Sequence, residues 1–523
     1  MFKKLSCMLA LVLTACMICS SAMACTAIYV GAALTDDGTA IFARSEDLSN
    51  SRNKVMYVSP AGNHKAGDAY QGCFGFTYTF EKDSYSYTAF RDDNLEGVEY
   101  VCPNCGGTHA HTPYEAGGTN EMGVSVSATE TLYGSDLLQA IDPYEDTGIE
   151  EAEITTVILS QAATAREGVE MILAIYDEAG CNTGAGIFVA DDKEIWYIEN
   201  TTGHQYVALK LPDTLVFAEP NISIIGLIDL DDTENVIASP NLIAVAQQAG
   251  TFVGDADANV IDYRASYVPE QTAVSRLVNA LAYFNAAYDY SETEPDYSLY
   301  TISNVDAEGN IVTLNNGIEL DRAFSVDEVV GYYHIPGIGS SRNLETHIFQ
   351  IGGEDCKIDT VEWVAVDDAS CNVFVPYYPM LTTDVEASLK VSTAKAAFVE
   401  EQPTEGIWYA TTTTKRVDGE RVQVEGFRVL PENWADSYYW SLDATTNLVA
   451  YGNLTDEQVA SVKDAMAAKQ ASIYEAFAQV KADVAAAASD EAAAEIATAA
   501  SMDMAQQVHA LAVSLVETVT AAE

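Results

Sequence analysis

Apolar and polar residues alternate over short stretches through most of the chain, which predicts many β-strands and fewer helices. From residue 25 the pattern indicates a strand over 26–31, a turn at 36–38 and a second strand over 39–44, which together form a β-hairpin. Helical periodicity lies between later groups of strands, for example over 154–163 and 166–177. Because the helices come in pairs between groups of strands, the pattern predicts an α+β layered fold rather than a regular βαβ repeat.

The last part of the chain has a different pattern. After about residue 451 the sequence is rich in alanine, and its periodicity predicts two long helices over 456–487 and 490–521. Thr455 and Gln458 predict a reciprocal cap at the start of the first of these helices. The apolar stripes of both helices indicate a helical hairpin that packs on the rest of the protein or on a partner, and packing on its own domain is favoured. We therefore divide the chain into a leader, a main domain and a helical region, over 1–24, 25–450 and 451–523.

The first 24 residues have the three parts of a secretory signal peptide. Two lysines precede an apolar core over 9–18, and small residues end at Ala24, where a signal peptidase would cut. This arrangement predicts a secreted or cell-envelope protein whose mature chain begins with Cys25. As an alternative, the Leu-Thr-Ala run before Cys16 resembles a lipoprotein processing site, which would lipidate Cys16 and leave Cys25 internal. No other stretch is long and apolar enough to predict a membrane span.

The chain is strongly acidic, with 78 Asp and Glu residues, 25 Lys and Arg residues and a formal net charge of −53 at pH 7. Such a charge repels nucleic acid and anionic membranes, so neither is expected as a partner. We interpret the acidity mainly as the solvated surface of an exported protein. It also suits small peptide substrates that carry free amines, and it leaves the formation of a homo-oligomer open.

Cys25 has a particular chemistry if it becomes the first residue of the mature chain. Its thiolate is a nucleophile, and its α-amino group, with an unperturbed pKa of about 7.7–8.0, can accept and return the proton. One residue then supplies both the nucleophile and the general base near neutral pH. The same reasoning predicts that the nucleophile has no base until the bond after Ala24 is cut.

The segment from Cys25 to Asp47 carries a Cys-Thr start, an Asp-Gly turn and an Arg-x-x-Asp group after the second strand. It resembles the N-terminus of the dipeptidase A family, cysteine N-terminal-nucleophile hydrolases that are related to choloylglycine hydrolases and penicillin V acylases. The resemblance implies that Arg44 lies near the thiol, where a cation favours the thiolate, and that Asp47 hydrogen-bonds to the α-amino group. A strict two-residue turn at 37–38 would pair Arg44 with Gly31, about 20 Å from Cys25, so the hairpin requires a wider loop or a bend.

Three later segments match the same family in the same order. The Asn-Glu-x-Gly turn at Asn120, and the asparagine that follows a proline at Asn221, match the positions of two oxyanion donors. Arg342, in a Ser-Ser-Arg-Asn run, is the candidate for the arginine that related acylases place near the nucleophile. His204 belongs to a Glu-Asn-x-x-Gly-His run that is similar to the family. We predict a structural role for His204, because the single-residue mechanism needs no histidine.

One group of residues departs from the family pattern. Cys102, Cys105, His109 and His111 lie in a predicted insertion over about 98–116 and have the ligand types of a small zinc site. Three interpretations stay open: a structural zinc site, a Cys102–Cys105 disulfide, and unliganded loop residues. Zinc held by four protein ligands has no open position for catalysis, so it would be structural.

The resemblance implies the four-layer αββα sandwich of the N-terminal-nucleophile hydrolases, here with a C-terminal helical hairpin. We predict an exported cysteine dipeptidase that forms an acyl-enzyme on Cys25 and requires no cofactor. The main alternative is the same chemistry on an N-acyl amide, such as a conjugated bile acid or penicillin V. A further alternative, from another class, is a non-catalytic surface protein that binds through the zinc segment and the C-terminal helices.

Overall fold

The computed structural model contains two large antiparallel sheets. It describes residues 25–48, 53–72, 75–93, 98–101, 108–110, 114–130, 132–272, 274–288, 295–306, 309–353, 355–417, 420–452 and 454–520. The strands, numbered along the chain, are β1 Thr26–Val30, β2 Ala40–Asp47, β3 Lys54–Ser59, β4 Ala69–Gln71, β5 Thr77–Thr79, β6 Tyr87–Asp92, β7 Glu99–Val101, β8 Thr108–Ala110, β9 Glu115–Asn120, β10 Ser125–Glu130, β11 Ala185–Ala190, β12 Ile195–Asn200, β13 Tyr206–Lys210, β14 Val216–Glu219, β15 Leu227–Asp229, β16 Val236–Ala238, β17 Gly254–Asp255, β18 Val260–Asp262, β19 Ser303–Val305, β20 Ile311–Asn315, β21 Asn343–Ile351, β22 Val361–Val366, β23 Val375–Tyr377, β24 Ala397–Val399, β25 Trp408–Val417 and β26 Glu420–Val429. The α-helices are α1 Asp136–Gln139, α2 Glu151–Gln161, α3 Ala165–Ala179, α4 Leu242–Ala249, α5 Tyr263–Tyr267, α6 Ser275–Phe284, α7 Tyr297–Tyr300, α8 Val326–Tyr333, α9 Cys356–Asp359, α10 Tyr438–Tyr451, α11 Asp456–Ala485 and α12 Asp490–Thr520.

The first sheet has six strands in the order β14-β1-β2-β21-β22-β23. The second has eight strands in the order β16-β13-β12-β11-β10-β9-β6-β3. The other strands pair in sheets of two or three. Strand β1 is therefore an interior strand of the first sheet, and it pairs with β14 on one side and with β2 on the other.

The two large sheets face each other and are covered by helices on their outer sides. Between them, Phe42 of β2 stacks on Phe188 of β11 with ring centroids 5.2 Å apart, and Phe188 stacks on Phe217 at 5.9 Å. Helices α2 and α3 bury their apolar side chains against the second sheet, and α6, α8, α10 and α12 contact the first. The predicted α+β fold with four layers in the order αββα is confirmed.

The space between the sheets also holds polar pairs. Thr129 of β10 donates to Glu219 of β14 at 2.9 Å, and Ser127 of β10 lies 2.7 Å from Nε2 of His347 in β21. Burial raises the pKa of Glu219 to about 8. That carboxyl is therefore mostly neutral at pH 7, which avoids the cost of a buried charge.

The C-terminal helices α11 and α12 lie close to their predicted positions and pack on the sheets. Thr455 and Gln458 form the predicted reciprocal cap of α11. The Trp363 ring of β22 meets the Phe477 ring of α11 with centroids 4.7 Å apart. Buried residues of both helices belong to the same core as the strands, so the prediction that the helical hairpin packs on its own domain is confirmed. None of the helices in the described part of the chain is long and apolar enough to span a bilayer.

Candidate active site

Cys25 lies directly before β1 and is buried, with 8% of its surface exposed. In the β1–β2 pair, Ala27 lies opposite Arg44 and Thr26 opposite Ser45, so Arg44 is only two positions along the ladder from Cys25. The connection between the strands is not a two-residue turn, because it contains a short 3-10 helix over Ala32–Leu34. This wider loop shifts the register of the two strands, as expected from the sequence, so that Arg44 reaches the thiol.

Arg44 is the cation that contacts the thiol. Its Nη2 donates to Sγ of Cys25 at 3.2 Å and also binds the Glu151 carboxylate, while its Nη1 donates to the Ala116 carbonyl at 3.1 Å. Burial raises the pKa of the Cys25 thiol to about 12, and Arg44 acts in the opposite direction. The arginine therefore offsets part of the cost of forming a buried thiolate.

Asp47 lies beside the thiol at the end of β2, where the register with β21 shifts between Glu46 and Asp47. Its backbone N–H hydrogen-bonds to the thiol of Cys25. Its Oδ1 accepts a hydrogen bond from Nδ2 of Asn343 at 2.5 Å. Burial raises the pKa of Asp47 to about 6, opposed first by Arg276 and then by the hydrogen bond from Asn343.

Asn221 lies on the other side of Cys25. Strand β14 pairs with β1 so that Glu219 is opposite Ala27, and continuing this register places Asn221 opposite Cys25. Asn221 has a positive φ of 63°, a conformation that asparagine tolerates better than most residues. Its side-chain amide donates to the backbone carbonyl of Glu130. The structure thus brings Cys25, Arg44, Asp47 and Asn221 together at one end of the first sheet.

Asn120 is not brought to the thiol. Its amide donates to the carbonyls of Leu159 at 3.0 Å and Ala162 at 2.8 Å, and its Oδ1 accepts from the N–H groups of Met122 and Val124. It also lies four residues along β9 from the Ala116 carbonyl that Arg44 contacts, about 13 Å away. The two hydrogen bonds that its amide donates hold the turn after β9 against the end of α2. Asn120 therefore stabilises this turn and does not lie at the position predicted for an oxyanion donor.

Arg276 is a second cation at the site, and the sequence analysis missed it. Its Nη1 donates to the carbonyl of Cys25 and to Oγ1 of Thr26, and its Nη2 donates to the Pro220 carbonyl at 2.9 Å. One sequence signal was available, because Arg276 is in the first turn of helix α6, where a positive charge is unfavourable to the helix dipole. Arg342 lies nearby, and its charge contributes weakly to lowering the pKa of Asp47. The guanidinium contacts shown at Cys25 come from Arg44 and Arg276.

Two further side chains near Arg44 had no sequence signal. Tyr114 accepts from Nη2 of Arg44 at 3.0 Å and donates to Oε1 of Glu151 at 2.6 Å. Burial raises the pKa of Glu151 to about 7, while Arg44 opposes the shift and Glu130 adds to it. Three groups that can become anionic, the thiol, Glu151 and Glu130, therefore lie around one buried arginine.

His204 lies apart from this group. Its Nδ1 is 2.9 Å from Oδ1 of Asp142, and its backbone N–H donates to Oδ2 of the same carboxylate at 2.8 Å. These contacts fix the turn that follows β12, as expected for a structural histidine.

The predicted zinc ligands Cys102, Cys105 and His111 lie outside the described residues, as does the side chain of His109, and the leader over 1–24 lies outside them too. Within the described ranges, no three His, Cys, Asp or Glu side chains are arranged to hold a metal ion. The cysteines that the structure describes are free thiols, at Cys25, Cys181, Cys356 and Cys371.

Known proteins are similar to this chain in sequence or in structure. Probable dipeptidase B of Streptococcus pyogenes serotype M1 is 32% identical over 411 residues, which is 75% of this chain and 79% of that protein. The probable dipeptidase of Salmonella dublin is 30% identical over 372 residues, 68% of this chain and 81% of that protein. A crystal structure of a variant of conjugated bile acid hydrolase from Clostridium perfringens aligns with 67% of this chain and 96% of its own, at 11% identity and a TM-score of 0.31.

The protein is therefore a peptidase. The model of Peptidase family C69 matches residues 24–303, more than half of the chain, and the chain belongs to that family.

Proposed function

We propose that this chain is an exported dipeptidase in which Cys25, made N-terminal by cleavage after Ala24, is the nucleophile. The observation that carries the proposal is the 3.2 Å contact between Arg44 and the Cys25 thiol, at the residue that directly follows a signal-like leader. The curated relatives described above are named dipeptidases, which supports a substrate of two residues.

In the proposed reaction, the thiol of Cys25 passes its proton to the residue's own α-amino group and attacks the peptide carbonyl. Arg44 stabilises the thiolate. Asn221 is the proposed donor to the oxyanion that forms on the carbonyl oxygen. The α-ammonium group then returns the proton to the leaving amine, and the C–N bond breaks to give an acyl-enzyme. Water hydrolyses that thioester with the same amine as base.

Asp47 and Arg276 are the proposed positioning groups. Asp47, whose backbone N–H binds the Cys25 thiol, would orient the α-amino group for proton transfer. Arg276 binds the Cys25 carbonyl and the Thr26 hydroxyl, so it fixes the backbone that carries the nucleophile. We propose no catalytic part for Asn120, since its amide holds the turn after β9 against the end of α2, away from the thiol, and Arg342 remains a more distant candidate.

The decisive experiment determines the mature N-terminus and the activity of the same preparation. We expect N-terminal sequencing of the exported protein to begin at Cys25, and we expect that preparation to hydrolyse unblocked dipeptides. Cys25→Ala should abolish turnover, and Cys25→Ser should retain only a small fraction, because a hydroxyl is the weaker nucleophile.

Two results would contradict the proposal. One is full activity in a chain that begins at Cys16 with no later processing, since Cys25 would then have no α-amino group. The other is turnover of N-acyl amides such as conjugated bile acids without turnover of dipeptides. The substrate class would then be N-acyl amides instead of dipeptides. A binding protein without catalysis would be unaffected by Cys25→Ala.

Catalysis by this route needs no cofactor. We keep the zinc site at Cys102, Cys105, His109 and His111 as a separate, structural proposal. Measurement of zinc in the purified protein, beside Cys102→Ser, tests it: one zinc per chain that is lost in the variant supports the site, and no zinc in either contradicts it.

A further inference from the structure

The charges around the thiol are not balanced. Arg44 faces the Cys25 sulfur and Glu151 directly, and it lowers the pKa of Glu130 as well. When the thiolate forms, one guanidinium therefore faces the thiolate and two carboxyl groups, each of which adds a negative charge when it is ionised. Arg276 donates to backbone carbonyls and acts on Asp47, so it does not supply a second positive charge beside Glu151 and Glu130.

Glu151 is nine-tenths buried, with 10% of its side chain exposed. Its Oε1 receives Arg44 and the Tyr114 hydroxyl, but its Oε2 receives no hydrogen bond from any residue that the structure describes. Oε1 and the Cys25 sulfur bind the same nitrogen of Arg44, so the carboxylate lies within two hydrogen-bond lengths of the nucleophile. This oxygen can therefore accept a hydrogen bond from a ligand.

Glu130 is the last residue of β10 and is partly buried beside the same arginine. Its carboxylate accepts from Oγ1 of Thr183 at 3.4 Å and from the Tyr133 hydroxyl. Within the described part of the chain, no Lys, Arg or His side chain forms an ion pair with it. Its backbone carbonyl accepts from the amide of Asn221, so the residue borders the place where the oxyanion would form.

We propose that Glu151 and Glu130 form the subsite for the α-ammonium group of the substrate. The inference rests on the proposed dipeptidase function and adds the residues that select an unblocked N-terminus. In a dipeptide, the ammonium nitrogen is separated from the scissile carbonyl carbon by one Cα, a distance of about 2.5 Å. Because the Glu151 carboxylate lies within two hydrogen-bond lengths of the Cys25 sulfur, an ammonium group on a substrate held against that sulfur can reach it.

An ammonium group suits this subsite in charge and in hydrogen bonding. It carries three donors and no acceptor, which matches Oε2 of Glu151 and the Glu130 carboxylate. It also supplies a second cation beside the thiolate, Glu151 and Glu130, which otherwise share Arg44. A substrate with an acylated N-terminus has lost this charge, so it offers no cation to Glu130 or to Oε2 of Glu151. We therefore expect it to react at least about a hundredfold more slowly.

The test uses Glu130→Gln in the mature enzyme, because Glu151 also holds Arg44 and its loss would disturb the nucleophile. The amide keeps the size of the side chain and an acceptor for Thr183 while removing the charge. We expect KM for an unblocked dipeptide to rise at least about tenfold with a smaller change in kcat, because a charged hydrogen bond is lost. Turnover of the N-acetylated dipeptide should not fall, so the preference for the free amine should shrink.

Glu130→Asp should restore part of the preference, since it returns the charge on a shorter side chain. Glu170→Gln is the matched control, because Glu170 is a largely exposed glutamate on α3. It should leave both substrates unchanged. If Glu130→Gln does not fold, the unmodified enzyme still tests the subsite: a des-amino analogue of the dipeptide should inhibit at least about tenfold more weakly than a non-hydrolysable dipeptide with a free amine.

The outcomes separate this inference from the function on which it rests. An enzyme that hydrolyses no dipeptide at all contradicts the proposed function. An enzyme that hydrolyses dipeptides, but in which Glu130→Gln slows free and acetylated substrates equally or slows neither, contradicts the ammonium subsite alone. Equal inhibition by the des-amino analogue contradicts it as well.

Discussion

Two opposing effects set the reactivity of the single residue Cys25. Removal from water makes the thiolate unfavourable and raises the thiol pKa to about 12, while the Arg44 guanidinium at 3.2 Å stabilises the thiolate. Burial is the larger effect, so the resting group is a thiol. As the proposed nucleophile, Cys25 must therefore lose its proton during catalysis, which is the task proposed for its own α-amino group.

Replacement of Arg44 by Gln should make the thiol less reactive. With the cation removed, the pKa of Cys25 should rise by at least one unit, so alkylation of Cys25 by iodoacetamide at pH 8 should slow by at least about tenfold. Mass spectrometry of the Cys25 peptide measures this rate separately from the other thiols. Arg166→Gln, which changes a partly exposed arginine on α3, should leave the rate unchanged, and an equal rate in Arg44→Gln would contradict the role of Arg44.

At the residue scale, the sequence predicted the site residues that lie in family motifs. It missed those that only the tertiary structure brings to the site. Arg44, Asp47 and Asn221 were found from the family pattern, and all three lie around Cys25. Asn120 also matched the pattern, but the pattern could not show that its amide is occupied by carbonyls at the end of α2. Arg276 reaches Cys25 from 251 positions away, and no local pattern records such a contact.

At the scale of elements, strand β10 connects the two sheets through hydroxyl groups that alternate along it. Ser127 lies 2.7 Å from Nε2 of His347, and Nδ1 of that histidine lies 2.9 Å from Glu345. His347 is fully buried and stands directly opposite Arg44 in the β2–β21 pair. The hydrogen-bonded chain from Ser127 to Glu345 therefore supports the strand that carries Arg44.

Removal of the Ser127 hydroxyl should destabilise the protein. Ser127→Ala leaves Nε2 of His347 buried without a partner, which should lower the free energy of unfolding by about 1–3 kcal/mol in urea denaturation. Ser472→Ala, at an exposed position on α11, is the control and should change it by less than about 0.5 kcal/mol. Equal stability of the two variants would mean that the hydrogen bond between the sheets contributes nothing to the free energy of unfolding.

The predicted boundaries of helices and strands agree with the structure where the local sequence signals are strong. The C-terminal helices were predicted over 456–487 and 490–521 and lie at Asp456–Ala485 and Asp490–Thr520. The first hairpin was predicted with the correct strands, but its register depends on the loop that contains Ala32–Leu34. Strand β2 also extends to Asp47, beyond the predicted end at residue 44, because β21 provides a partner that lies far away in the sequence.

For the whole molecule, buried carboxyl groups make stability depend on pH. Burial raises the pKa of Glu115, Glu199 and Glu362 to about 7 and that of Glu219 to about 8, from the ordinary value of 4.5. Between pH 4.5 and 8 the folded protein therefore holds more protons than the unfolded chain. Stability must fall as the pH rises through this window and level off above it.

We expect the midpoint of thermal unfolding to be at least about 5 °C lower at pH 8 than at pH 5. Repulsion among surface charges acts in the same direction, but salt screens it, so the shift should persist in 0.5 M NaCl. Glu219→Gln removes one of these titrations and should reduce the shift. A midpoint that is higher at pH 8 than at pH 5 would contradict the contribution of the buried carboxyls.

The strand order of the first sheet also determines when the site can form during folding. The residues that lie around Cys25, from Arg44 to Arg276, occur before residue 303, yet β2, which carries Arg44, takes its second neighbour from β21 at Asn343–Ile351. Contacts between such distant parts of the sequence form slowly, because a long loop must close first. A nascent chain that stops at residue 303 would hold all of these side chains and still leave β2 at an open sheet edge. We therefore expect the geometry of the candidate site to be among the last parts of the molecule to assemble.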